Sequence, residues 1–345
     1  MPEPFEPLGG PFGAPVIGAE LATQHGHSPG THDLAVDDPF LRAEDLYATA
    51  AAVEGLAPAA FRGRSIWKQV GWGFWVAVAI CAFWIIVAIL AGVLPIPNPD
   101  FTQLNPTAPD YCFQSVGHMY SSHLLGCDTD GRDILSRIIY GSRVSLEVGF
   151  ASIAMGLAVG GALGIVAGYF RGWIDEVLSV ISNVFLSFPY LVLGLVIVTF
   201  IGHSLVDIIF IIAIVAWPLL FRVVRAATIE YAQREYVLAA QALGSKPSRI
   251  LRTLLLPDVI PSAITYGLVG VAIAIVAEGA LSFLGQSVAV PTPTWGNMIA
   301  AGSTSISQDP ILLVAPAIAM FSFILPVNFI GDRLRAVLDN RQGVI

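Results

Sequence analysis

The sequence predicts an all-α integral membrane protein with six transmembrane helices and both termini in the cytoplasm. Three observations carry that prediction. Of 345 residues, 55% are hydrophobic and only 12% charged, against roughly 25% charged in an average soluble domain. Windows of about 20 residues without charge recur, and each is long enough as a helix to cross a hydrocarbon core of about 30 Å. The cations are also unevenly placed. With six crossings, Arg132, Arg137 and Arg143 fall outside and the other fourteen of the 17 Lys+Arg fall inside, the asymmetry of cytoplasmic loops. The net charge of −8 and the lack of a basic cluster argue against nucleic acid as a partner.

Residues 1–66 form an N-terminal extension on the cytoplasmic side. Its first part, to about residue 36, is rich in Pro, Gly, Ala and His without an apolar period and reads as disordered. It has no basic segment followed by an apolar core, so it is not a secretory signal. A short helix is expected over 38–56, with Asp38 as cap and Pro39 in the first turn. Residues 67–345 form the transmembrane domain. Its first span, about 70–94, opens on Trp67, Trp72 and Trp75, since indole favours the headgroup level. Pro95, Pro97 and Pro99 end it, and an external loop occupies 95–142. The second span, about 144–170, carries Gly156, Gly160, Gly164 and Gly168 on one helical face, a packing seam where two backbones approach closely. The third, about 177–201, contains Pro189 and is expected to kink there. The fourth runs about 205–221, the fifth 263–284 and the sixth 311–330.

Between the fourth and fifth spans lies a polar cytoplasmic loop, 226–260. Glu235 to Leu243 is a run of good helix formers. Gly244 suits the left-handed residue that ends a helix, and Pro247 suits the first turn of the next. A helix, a glycine turn and a second helix are therefore expected, with small Ala239 and Ala240 allowing another protein surface to come close.

The pattern Glu-Tyr-x-x-Ala-Ala-x-Ala-Leu-Gly over 235–244, then Leu256-Pro257, resembles the "EAA" loop of bacterial ABC importer permeases. The external stretch CDTDGRDILSRIIYGSRVSLEVG, Cys127 to Gly149, is similar to a signature of the dipeptide/oligopeptide/nickel permease family, with Cys127 where the family usually has threonine. GYFRGWID from Gly168, the run from Glu278 to Gly285, Pro291 to Gly296, and the tail from Gly331 also look like the C-type subunit of that family. The resemblance covers about residues 65–342. It implies the MetI-like architecture of type I importers, in the plasma membrane of a bacterium, and a short helix over 134–140 along the outer membrane face. It makes Glu235, Tyr236, Ala239, Ala240, Ala242, Leu243, Gly244 and Arg249 the surface that couples to an ATPase subunit. The implied partners are a B-type permease subunit, two ATPases that bind ATP and Mg, an extracytoplasmic peptide-binding protein and membrane lipid. The implied cargo is short peptides, with nickel or another small solute as the alternative. Two departures stand out. Val180-Ile-Ser-Asn183 replaces the family's Arg-x-x-Asp, and Leu254 stands where relatives carry His before the Leu-Pro.

The chain lacks a Gly-Lys pair, so no phosphate-binding loop of the usual kind is present. The zinc-protease and nucleophile-elbow motifs are absent too. The expected role is therefore that of a non-catalytic subunit with no cofactor of its own. Glu278 is the acid of the fifth span, and an intramembrane acid is a functional candidate. It either faces the substrate path or is satisfied by its neighbours. Cys112 and Cys127 share the external loop, where thiols oxidise. A disulfide there would close a loop of about 15 residues and contribute roughly 3 kcal/mol. Two free thiols are the alternative, and no metal site is expected at the intervening His118 and His123. A secondary transporter would need paired intramembrane charges or broken helices in symmetric positions, and a non-transporting scaffold would show no substrate-dependent ATPase.

Overall fold

The computed structural model describes residues 71–94, 96, 98–100 and 123–342. The contacts divide the chain after Arg62, and the helix expected over 38–56 lies outside the described residues. Among the described residues all regular structure is helical, apart from an isolated bridge between Cys127 and Asp133. Five helices are long and apolar enough to cross a membrane, or six if one bent pair is a single span.

Helix α1 covers Gly71–Leu90 and starts with Trp72 exposed. Helix α2 covers Ile134–Phe170, a single rod of 37 residues. At about 1.5 Å per residue it is about 55 Å long. This corrects the expectation of a separate short helix over 134–140 followed by a span. Asp133 caps the rod, its Oδ2 accepting from the Ser136 N–H at 2.6 Å, and no residue beyond it breaks the ladder. Gly141, the one weak former at the expected break, stays helical and lies close to the backbone of Thr294 and Trp295.

The third hydrophobic stretch is two helices, α3 (Gly172–Leu186) and α4 (Tyr190–Ile201), bent by 88°. The expected kink is thus a full break. Pro189 has no N–H for the helix before it, and its extended ψ of 126° makes it the N-cap of the helix after it, its carbonyl accepting from Leu193 at 3.0 Å. Helix α5 (Leu205–Tyr231) opens on a reciprocal Ser204–Asp207 capping box and runs past the expected end at residue 221. The loop helices α6 (Glu235–Ala242) and α7 (Pro247–Ile250) follow. A π-turn over Leu251–Leu255 then joins α7 directly to α8 (Leu256–Phe283). The second loop helix is therefore the foot of the fifth span and not a separate element. Helices α9 (Trp295–Ser303) and α10 (Ile311–Gln342) complete the chain.

Two packing centres hold these helices. The first is the glycine face of α2 against α5. A Cβ built at Gly164 would lie 2.8 Å from the Phe221 carbonyl oxygen, and one at Gly168 would lie 2.7 Å from the Thr228 Cβ. Only hydrogen fits there, so the backbones touch. The second centre is Trp295, fully buried, with its indole 5.0 Å from that of Trp84 on α1 and 6.3 Å from Phe323 on α10. Its ring N–H donates to the Ile138 carbonyl at 3.1 Å and its backbone N–H to Ser145 Oγ at 3.0 Å, so both polar groups are satisfied.

Candidate functional site

The loop between α5 and α8 presents one helix face outward and anchors the other. Glu235, Leu238, Ala239, Ala242 and Leu243 follow the spacing i, i+3, i+4, i+7, i+8, so they share a face. All five are exposed, Leu243 at 86%. A leucine so exposed, beside two alanines and a second leucine, makes a smooth apolar patch that leaves room for a partner's side chains. On the inner side Val237 is 0% exposed and packs with Ile250 and Leu255. Tyr169 at the end of α2 and Tyr231 at the end of α5 border that cluster. Ala240 also packs there, so of the two alanines expected to admit a partner only Ala239 faces out.

Gly244 has φ +75°, in the left-handed region. Its N–H donates to the Gln241 carbonyl at 2.9 Å, and the Ser245 N–H donates to Ala240 at 3.0 Å. Those two bonds close a Schellman cap, which stops α6 and turns the chain. Tyr236 points sideways, and its hydroxyl donates to Asp258 Oδ2 at 2.5 Å, in the first turn of α8. Burial first, and then the Asp258 carboxylate, push the Tyr236 phenol above its ordinary value, so it stays a donor at neutral pH. Leu238 and Asp258 are the members of this site that sequence patterns did not single out. The helical spacing with Ala239 and Ala242 would have found Leu238. No local signal links Tyr236 to a residue 22 positions away.

The cations around the loop divide into two groups. Arg225 forms a two-bond pair with Asp175 of α3, one bond at 2.6 Å, Arg222 donates to Asn183 at 3.1 Å, and Arg234 pairs with Glu230 at 3.1 Å. Lys246, Arg249 and Arg252 stand exposed on α7 and the π-turn. Asn183, one of the departures from the family pattern, thus still takes an arginine.

Two cavities lie inward of the loop. One, about 390 Å³, is lined by Arg222, Glu230, Tyr231, Ser262, Tyr266 and Arg335. The other, about 420 Å³, is nearly all apolar, with Gly194, Ile211, Ala216, Ile273 and Leu281 in its wall. Val223 and Tyr266 belong to both.

Glu278 lies in neither. It is 0% exposed, and its Oε1 accepts from Ser282 at 3.0 Å, Ser287 at 2.7 Å and Thr294 at 2.8 Å. It ties α8 to the cap of α9, while its Oε2 is buried without a hydrogen-bond partner among the described residues. Cys127 is disulfide-bonded, whereas Cys112 lies outside the described residues.

The comparisons with known proteins agree with this layout. A dipeptide transport system permease protein of Alkalihalophilus pseudofirmus is 35% identical over 267 residues, 77% of this chain and 85% of that protein. A glutathione transport system permease protein of Pectobacterium atrosepticum is 34% identical over 219 residues, 64% of this chain and 73% of that one. The MetNI methionine ABC transporter in an inward-facing conformation aligns with TM-score 0.52 at 20% identity, over 59% of this chain and 97% of its own, and shares the fold. The family described as binding-protein-dependent transport system inner membrane component matches residues 160–344. That span holds the paired loop helices, the whole lining of the 390 Å³ cavity, that of the 420 Å³ cavity apart from Ile153, and all but the first of the four seam glycines, and the chain belongs to this family of multi-pass inner-membrane permeases.

Proposed function

We propose that the chain is one of two non-identical membrane subunits of an ATP-driven importer of short peptides, and that α6 is where an ATPase subunit grips it. The observation that carries this reading is the outward apolar face of α6 on an anchored, glycine-capped base. The names of the relatives, dipeptide and glutathione permeases, support peptide as cargo. The chain itself hydrolyses nothing. Two ATPases bind ATP and Mg and supply the energy, a B-type permease completes the path, and an extracytoplasmic binding protein delivers the peptide. The loop lies in the cytoplasm with both termini, a reading that the cation asymmetry supports. The apolar cavity is this chain's share of the path, and its uncharged wall lets a peptide pass without being held. Nucleotide closure shifts the two access states only because the ATPases hold α6 differently in each.

The test is reconstitution of the complete complex in proteoliposomes with labelled dipeptide inside or outside and ATP supplied to the ATPases. Gly244→Pro cannot adopt the required φ, and Glu235→Lys reverses the charge at the start of α6. Each should abolish uptake while the chain still inserts and ATP is still hydrolysed. Wild-type uptake by both variants overturns the docking role, and no peptide uptake by the unmodified complex overturns the cargo.

A further inference from the structure

Besides the short backbone link 232–234 that joins α6 to α5, three connections run from α6 towards α8. The apolar cluster around Val237 is non-directional and lets one surface slide on another. The backbone passes through the left-handed turn at Gly244, a position with no side chain to brace it. The third is Tyr236 Oη to Asp258 Oδ2, 2.5 Å. Among the described residues it is the one side-chain hydrogen bond from α6 to a membrane span that the structure defines. It also bypasses the π-turn of Leu251–Leu255, a widened turn of the kind found at functional positions.

We propose that Tyr236 and Asp258 form a strut that converts movement of α6 into movement of α8. The idea rests on the reading of α6 as the ATPase grip. When the ATPase displaces α6, the short charge-assisted bond pulls on the first turn of α8 directly. Without it, α6 shifts between its two backbone links, 232–234 and Gly244, and slides over the Val237 cluster, and the π-turn absorbs the rest. Helix α8 contributes Tyr266, Ile273, Ala274 and Leu281 to the cavity walls, so the strut acts on the conduit at one remove. Both residues are positioning residues and touch no solute.

The experiment uses the complete reconstituted complex with Tyr236→Phe, Asp258→Asn and the double variant. Phenylalanine keeps the ring packing and removes only the hydroxyl. The readout is peptide taken up per ATP hydrolysed, which simple destabilisation of the chain does not alter. Each single variant should lower that ratio about tenfold, the scale of a lost hydrogen bond to a charged group, and the double variant should be no worse than the worse single. In parallel, hydrogen exchange over residues 256–262 is compared with and without a non-hydrolysable ATP analogue. The unmodified complex should show a nucleotide-dependent change there, and Tyr236→Phe should lose it. A ratio and an exchange pattern unchanged in both single variants overturn the strut, as does the absence of any nucleotide response in the unmodified α8. If the unmodified complex takes up no peptide, the cargo assignment fails and the exchange comparison alone decides the strut.

Discussion

At Gly160 a side chain of even one carbon would overlap the carbonyl oxygen of Trp217. Backbone cannot yield there without moving α2 from α5, so Gly160→Ala should destabilise the chain by about 1–3 kcal/mol, the range for overpacking. The adjacent Gly161 is the control. A Cβ there meets only Leu157 Cδ1 at 3.8 Å, and alanine is the better helix former by about 1 kcal/mol. Thermal melting in detergent should therefore fall for Gly160→Ala and hold or rise for Gly161→Ala. Glu278 gives a second contrast of this kind. Glu278→Gln keeps an oxygen where Ser282, Ser287 and Thr294 donate and should melt near the parent. Glu278→Ala strands three buried hydroxyls, at about 1–3 kcal/mol for each group left unmet, and should express poorly. Tyr236 sets a pH limit. Its folded value is raised above the ordinary phenol, near about 10. Its bond to Asp258 is therefore intact at neutral pH, and the stability it adds is lost only as pH climbs through the raised value. The α6–α8 contact should then be insensitive to pH across 6–9, roughly, as read by hydrogen exchange.

Among the elements, α6 separates what holds the helix from what the helix offers. Leu243→Asp changes a residue 86% exposed and should leave melting within about 0.5 kcal/mol while co-purification with the ATPases drops. Val237→Asp puts a charge among Ile250 and Leu255 and should unfold the loop itself, seen as rapid exchange over residues 235–250. The end of α6 and the start of α7 were legible in the sequence, because Gly244 and Pro247 each have one cheap place near a helix terminus. The glycines of α2 likewise announced a close approach, but spacing alone does not name α5 as the neighbour. The rest was hidden for physical reasons. Pro189 marks a defect, yet whether it bends a helix or starts a new one depends on what packs around it. Nothing between Tyr140 and Val144 stops a helix, so the 37-residue α2 follows once Asp133 caps it, although hydropathy changes along its length. Glu278 reads as an oddity in an apolar run because its three hydroxyl partners are spread over α8, the following loop and the start of α9.

For the whole molecule, the interlocked backbones of α2 and α5 have a mechanical result. Two rods joined at Gly160, Gly164 and Gly168 without side chains between them cannot shear past each other, because each ratchet step would drive a carbonyl or a Thr228 methyl into the opposite chain. They form one stiff plank that spans the bilayer. Any opening of the conduit has to occur along softer seams, where α4 and α8 meet α5 around the 420 Å³ hollow. Paired spin labels on α2 and α5 should then keep one separation through the ATP cycle, while labels bridging α8 and α5 change theirs. A transporter assembled this way swings its gates against a fixed post.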